Sequence, residues 1–349
     1  MLHMMIRAVL VLAAALMPWT GAGAETLRLL HANYSPTDLF FYDFNRAFTE
    51  YYRGLTGVSV EIHQRPDTTA RHLSAILGGE LEADVVTFNS SVDVDYIVEH
   101  SKLIEYRWES AFPNNSSPFT TNVVFLVRSG NPKGIRDWND LIEKDVRYVT
   151  TSPRTSGFGR YAYYSMYIYA HSRFGGDEQR IRDYLRQYIG RSQGLLESYY
   201  HQVDTFIRRG EGDVLLVWEH AALMAMEHHG RDNFELVVPS VSLVGRPRIA
   251  VISANAARHG TTDAAREYVS YLYSDEGQEL AVKYFLRPEN TTIARKYRDR
   301  FPRISHPDIS RFGSMGDFYR RHFGEGGWFD QLEAEAATGG MDSGGREGG

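Results

Sequence analysis

The stretch Ser152 to Ala170, SPRTSGFGRYAYYSMYIYA, decides how this chain is read. A strand pattern from Val146 to Thr151 runs into a Thr-Ser-Gly turn at Thr155 to Gly157. The turn opens an apolar, tyrosine-rich helix. Such a turn presents a hydroxyl and several free backbone N–H groups at the positive end of a helix, which binds an anion with no charged side chain. Two other readings stand beside it. Gly157-x-Gly159-x-x-Ala162 has the form of a dinucleotide fingerprint. Its glycines come several residues after the strand, with Pro153 between. Asp177, where the acidic strand-end residue belongs, reads as a helix start. The third reading is a plain helix cap.

Working outward, strands and helices alternate. Thr26 to Tyr34 reads as a strand. Ser35 then reads as an N-cap, with Pro36 at the first helical position and Asp38 three residues past the cap. The helix carries Phe40, Phe44 and Phe48 and stops near Gly54. Val58 to Gln64 and Ala83 to Phe88 read as strands, with a helix ending at Gly78 between them. The second strand leaves through the polar run Asn89-Ser90-Ser91. Pro-, Asn- and Ser-rich residues from Phe112 to Pro118 break the pattern before a long strand from Asn122 to Ser129. That strand is the expected crossover to a second lobe, holding Val146–Thr151, a helix from Asp177 to Ile189, and the strand Gly212 to Glu219. Phe234 to Ser240 begins the return, and Arg248 to Ser253 rejoins the first lobe. Helices follow from Thr262 to Tyr273 and from Glu276 to Phe285. Alternation of this kind predicts an α/β fold of two lobes, each a mainly parallel sheet flanked by helices, with ligand at the strand C-termini. The expected division is residues 1–24 as a signal peptide, 25–117 plus 245–302 as lobe 1, and 118–244 as lobe 2. A C-terminal helical segment is expected over 303–333, and the Gly-rich tail 334–349 is expected to be disordered.

Arg7, the apolar run Ala8 to Trp19 and the small residues Ala22-x-Ala24 make a leader with cleavage before Glu25. The alternative, a membrane anchor, asks for the ~20 apolar residues of a spanning helix. The chain has 349 residues, no cysteine and a formal net charge of −6. The absence of cysteine excludes disulfides, thiolate metal sites and a cysteine nucleophile. No basic face suggests nucleic acid. A mildly acidic protein that binds an anion does so by local dipoles. GxSxG, HExxH and Walker motifs are missing, and no cofactor or metal is expected.

Trp218, at the end of a buried strand, reads as a core aromatic or as an indole N–H donor aimed into a cleft. Thr68 and Thr69 sit where a loop enters a helix, as caps or as donors to an anion. Tyr199, Tyr200 and His201 form a polar aromatic cluster of surface or hinge character.

With these segments placed, the chain resembles the periplasmic sulfate- and thiosulfate-binding proteins of ABC importers. The resemblance runs from Leu29 to about Leu332. It is carried by YSPT (Tyr34 to Thr37), EADVVT (Glu82 to Thr87), VDVD (Val92 to Asp95), NNSSP (Asn114 to Pro118) and NVVFLVR (Asn122 to Arg128). GNPKGIRDWNDLI (Gly130 to Ile142), GDVLLVWE (Gly212 to Glu219), YLYSDEGQELAVKYFLRP (Tyr271 to Pro288), FP at Phe301 and FDQL at Phe329 add to it. The resemblance implies a type II periplasmic-binding-protein fold that closes on a desolvated dianion held by neutral donors. It further implies that Ser156 donates its hydroxyl, Gly157 and Phe158 their N–H groups, and Trp218 its indole. Thr69 and Tyr200 stand at the family's remaining donor positions. Ser35, Thr68, Arg71, Tyr199 and His201 are secondary candidates. The departures concentrate in the site: the family's Gly-rich HGGSGKQ-like loop is Arg65 to His72, its GARGS-like loop is Tyr199 to Val203, its first-strand aspartate is Ser35, and its second glycine after the serine is Phe158.

The function expected is periplasmic capture of sulfate or thiosulfate and delivery, as a monomer, to an ABC permease and ATPase. The alternatives are the same fold retuned for another anion, such as an organic sulfonate or phosphonate lined by Phe158, Tyr200, His201 and Arg71, and a secreted sensing or scavenging module. An exported hydrolase on the same scaffold is a further class. Exclusion of phosphate follows if the site lacks an acceptor for a protonated oxyanion.

Overall fold

The structure is a computed structural model that describes residues 26–309 and 312–339; the expected leader, residues 1–24, lies outside them. The chain opens with β1 (Leu27–Tyr34), a 3₁₀ turn (Ser35–Thr37), α1 (Asp38–Thr56), β2 (Val60–Asp67), α2 (Thr69–Leu77), β3 (Val85–Phe88) and α3 (Ser91–His100). After a short turn, α4 (Pro113–Ser116), come β4 (Phe119–Arg128), α5 (Asp140–Glu143), β5 (Tyr148–Thr151), α6 (Gly157–Phe174), α7 (Glu178–Arg191), β6 (Ser192–Leu196), α8 (Tyr199–Val203), β7 (Val214–Trp218) and α9 (Glu219–His229). The return consists of β8 (Phe234–Val237), β9 (Val244–Gly245), β10 (Arg248–Val251), α10 (Ser253–His259), α11 (Thr262–Tyr271), α12 (Asp275–Lys283), β11 (Arg287–Pro288) and α13 (Thr291–Lys296). Two further helices close the chain, α14 (Met315–Phe323) and α15 (Trp328–Gly339).

The first sheet has the order β10-β3-β1-β2. Its β1–β2 and β1–β3 pairs are parallel and the β10–β3 pair is antiparallel. Successive β3 residues point to opposite faces, so Val85 packs with Phe40, Phe44, Phe48 and Tyr268 while Val86 packs with Ile76, Val94 and Ile97. α1 fits its face because Phe40, Phe44, Phe48 and Tyr52 recur every four residues and are all buried. The helix outlasts the expected stop at Gly54 and ends at Gly57, whose φ of 74° is the left-handed cap that glycine accepts readily. Its start also differs from expectation. Ser35 lies inside the 3₁₀ turn, Thr37 is the N-cap, and neither side chain caps the helix.

The second sheet follows β11-β4-β7-β5-β6, with β8 and β9 also paired to β4. Here the expectation of a mainly parallel sheet fails. Only β5–β6 and β5–β7 are parallel, whereas β7, β8, β9 and β11 all pair antiparallel to β4. β4 is the long crossing strand, and the returning strands run back along it. Val123 to Val127 are buried on both faces, in one core with Tyr148, Tyr163 and Leu216. At the crossing, buried Glu219 accepts from Arg287 Nε on β11 at 2.7 Å and from Asn122 Nδ2 on β4 at 2.6 Å, tying two strands to the start of α9. The tail expected to be disordered from residue 334 is helical as far as Gly339, with Leu332 and Ala336 on the second core.

Candidate functional site

Four helix or turn starts converge on one small cavity between the two sheets. The first lobe supplies Ser35 and Pro36, ahead of α1, and Thr68 and Thr69, at the start of α2. The second supplies Ser156, Gly157 and Phe158, at the start of α6, and Trp218, the residue before α9. The first N–H groups of a helix have no partner within it and carry the positive end of its dipole. Ser156 has the extended backbone of an N-cap, φ −121° and ψ 129°, yet its hydroxyl caps nothing in its own helix. Thr68 does cap α2, accepting from the Arg71 N–H at 3.4 Å.

Tyr34, Asp67, Asn89, Thr151, Tyr199 and Gln202 complete the wall. Among the described residues no lysine, arginine or histidine lines it. Asp67 is the one charged group on the wall; its Oδ1 accepts the Thr68 N–H at 2.7 Å and its side chain is 40% exposed. Six buried side-chain atoms on these walls have no hydrogen-bond partner: Tyr34 OH, Thr69 Oγ1, Thr151 Oγ1, Trp218 Nε1, Asn89 Oδ1 and Gln202 Oε1. Each such atom costs about 1–3 kcal/mol when left unmatched, and four of the six can donate. Burial pushes the Tyr34 and Tyr199 hydroxyls above the usual tyrosine range, so both stay neutral. The cavity is about 20 Å³, measured as space open to the centre of a water molecule. One water needs about 10–15 Å³ by that measure. The site therefore suits a compact polar group.

Trp218 reconciles its two readings. Its ring packs edge-on against Phe158 and Tyr161, at 5.0 and 5.2 Å between centroids, while the residue lines the cavity and its N–H is buried with no partner in the protein. The indole sits so close to Gly245 that a Cβ there would lie 2.6 Å from it. Gly157 is required by a similar approach: a Cβ would lie 2.7 Å from Asn89 Cβ, on the other lobe.

Of the residues singled out in the sequence, Ser35, Thr68, Thr69, Ser156, Gly157, Phe158, Tyr199 and Trp218 share this cavity. Tyr200, Arg71 and His201 do not. Tyr200 is 46% exposed and donates to Asp38 Oδ2 at 2.6 Å. Arg71 pairs with Glu197 and has a 61% exposed side chain. His201 is exposed. The reason is helical geometry: positions i and i+3 share a face while i+1 and i+2 turn away. In α8, Tyr199 and Gln202 line the cavity, whereas Tyr200 and His201 lie outside it. In α2, Arg71 is two residues past Thr69 and points to the other side. Sequence reasoning missed Tyr34, Thr151, Asn89 and Gln202. The spacing of Gln202 from Tyr199 was a usable signal; Tyr34, Thr151 and Asn89 are strand-end residues that only assembly brings together.

The lobes are closed on each other. Buried Arg160 of α6 bonds both carboxylate oxygens of Asp93 on α3, at 2.6 Å each. Tyr200 to Asp38 and the Ala70 N–H to the Thr155 carbonyl, at 3.4 Å, also cross the cleft.

A family model for bacterial extracellular solute-binding proteins matches residues 38–287. A sulfate-binding protein of Escherichia coli is 37% identical over 314 residues, 90% of this chain and 95% of that one. A thiosulfate-binding protein of Pseudomonas aeruginosa is 35% identical over 322 residues, 92% of this chain and 96% of its own. The solved sulfate-binding protein SubI of Mycobacterium tuberculosis superposes with a TM-score of 0.72 at 25% identity, covering 83% of this chain and 97% of that one. The fold is the two-lobed α/β architecture of type II periplasmic binding proteins. The chain belongs to the sulfate- and thiosulfate-binding family of extracellular solute-binding proteins.

Proposed function

We propose that this protein captures sulfate or thiosulfate in the interlobe cavity, outside the cytoplasmic membrane, and delivers it to an ABC importer. The observation that carries this reading is the wall itself: uncharged donors and helix N-termini around one small cavity, with no cationic side chain among the described residues. A desolvated dianion is then held by Thr69, Thr151, Ser156, Tyr34, the Trp218 indole and the Gly157 and Phe158 N–H groups, each a preorganised dipole. Phe158, Gly157 and Trp218 also make the wall dry, which strengthens every one of those bonds. The cavity volume and the positions of Tyr200, His201 and Arg71 outside it favour an inorganic oxyanion over a bulkier sulfonate or phosphonate. The role is binding without turnover, in line with the names of the relatives. Export through cleavage after Ala24 fits the family's extracellular character, and no helix among the described residues is long and apolar enough to cross a membrane. Titration calorimetry of the ligand-stripped protein with sulfate and thiosulfate tests the reading. Heat with one-to-one stoichiometry is expected, and its absence for both anions would reject it.

A further inference from the structure

Two amide side chains give the cavity a property that donors alone do not. Asn89, one residue past β3, is 4% exposed, and Gln202 of α8 is 1% exposed. They reach the cavity from opposite lobes. The carbonyl oxygen of each, Asn89 Oδ1 and Gln202 Oε1, is buried without a donor. Asn89 Nδ2 lies 2.8 Å from where a Cβ on Gly157 would stand, so the nitrogen end of that amide is turned to the start of α6. A fully ionised sulfate has no hydrogen to give. Beside sulfate both oxygens stay unmatched, and each unmade bond to a buried acceptor weakens binding by about tenfold. A tetrahedral oxyanion that keeps one proton meets both sides of the wall. Its ionised oxygens accept from Thr69, Thr151, Ser156 and Trp218, and its hydroxyl donates to an amide carbonyl.

We propose that Asn89 and Gln202 form an accepting pair through which this cavity takes a singly protonated tetrahedral oxyanion, of the hydrogen phosphate class, alongside sulfate. This rests on reading the cavity as an oxyanion site. The donors that hold sulfate hold the ionised oxygens of hydrogen phosphate equally well, so the amide pair sets the preference between the two ions.

The test is calorimetric titration of the full mature protein with inorganic phosphate and, separately, with sulfate near neutral pH, repeated on Asn89→Leu and Gln202→Leu, near-isosteric changes that remove the acceptor. Wild type is expected to bind both ions at one competing site. One hydroxyl hydrogen serves one carbonyl at a time, so the variant that removes the carbonyl in use is expected to lower the phosphate-to-sulfate affinity ratio about tenfold, the worth of one bond to a buried acceptor, and the other variant to change it little. Sulfate binding with no phosphate binding in wild type overturns the proposal and leaves the oxyanion site standing. Parallel loss of both ions in the variants also overturns it, because that result means the amides are turned by half a revolution and donate. If wild type binds neither ion, the oxyanion site itself is refuted. The wild-type comparison needs no variant, so a misfolded substitution does not shield the proposal.

Discussion

Trp218 shows how much one side chain is asked to do in this site. Its ring is core, packed on Phe158 and Tyr161, and its N–H has no protein partner. Trp218→Phe keeps most of the apolar ring and deletes the donor. Affinity for the bound anion should fall by about tenfold or more, since a hydrogen bond to a charged group is worth roughly 1.5–3 kcal/mol, while the thermal midpoint moves little. Ser156→Ala should behave alike, and unchanged binding in both variants would mean the site is elsewhere. Gly157→Ala is sharper. Its methyl would stand 2.7 Å from Asn89 Cβ across the cleft, so the lobes cannot close and binding should drop further than in Ser156→Ala, with each lobe still folded. Calorimetry beside a melting curve separates these outcomes. At this scale the sequence was a good guide wherever chemistry is local: a Ser-Gly turn before a helix and a Trp at a strand end carry their meaning in one stretch. Asn89 carries none until the opposite lobe closes over it.

The elements explain where sequence reading succeeded and where it slipped. Periodicity placed β1, β3, α1 and α6 because each buries a stripe or a whole face. It missed β9 and β11, two-residue antiparallel partners of β4 that are defined by their neighbour and not by a pattern of their own. It also treated the loop at Tyr199 as one block, when α8 is a helical turn that turns Tyr199 and Gln202 to the cavity and leaves Tyr200 and His201 outside it. The pair Arg160–Asp93 joins α6 to α3, elements of different lobes. Breaking a buried pair strands the remaining charge, at about 3–5 kcal/mol where it stays buried. Because this pair forms across the cleft, opening returns Arg160 to water. Asp93→Asn should therefore lower anion affinity by about tenfold or more through a weakened closed form while the ligand-free melting midpoint stays nearly constant. A lowered midpoint with unchanged affinity would assign the pair to fold stability instead.

The whole molecule carries two consequences of burying neutral groups. His31, His220 and His322 are buried, and desolvation lowers each from the ordinary histidine value of 6.5 to about 3. His31 is further held by Thr87 Oγ1 at 2.7 Å and by the Tyr268 hydroxyl at 3.0 Å. Between the two values the unfolded chain binds a proton on each ring and the folded chain does not. Stability is therefore complete above pH 6.5 and falls as pH drops toward 3, by up to about 1.4 kcal/mol per pH unit for each ring. Denaturant midpoints measured from neutral to acidic pH should decline over that window, and a flat profile would contradict the burial of these rings. The second consequence is electrostatic. The chain has a net charge of −6 and no cationic liner in its cavity among the described residues, so added salt weakens no attraction between the anion and a charged wall. Anion affinity should stay level or rise slightly with ionic strength, and a steep fall would point to a cationic site outside the cleft.

Capture of a dianion by uncharged donors between two closing lobes is most directly tested by titrating the ligand-stripped mature protein with sulfate, in the wild type and in Trp218→Phe. One site of micromolar or tighter affinity is expected, weakened about tenfold or more by removal of the indole N–H. Absence of sulfate heat, or sulfate binding indifferent to Trp218, would contradict it.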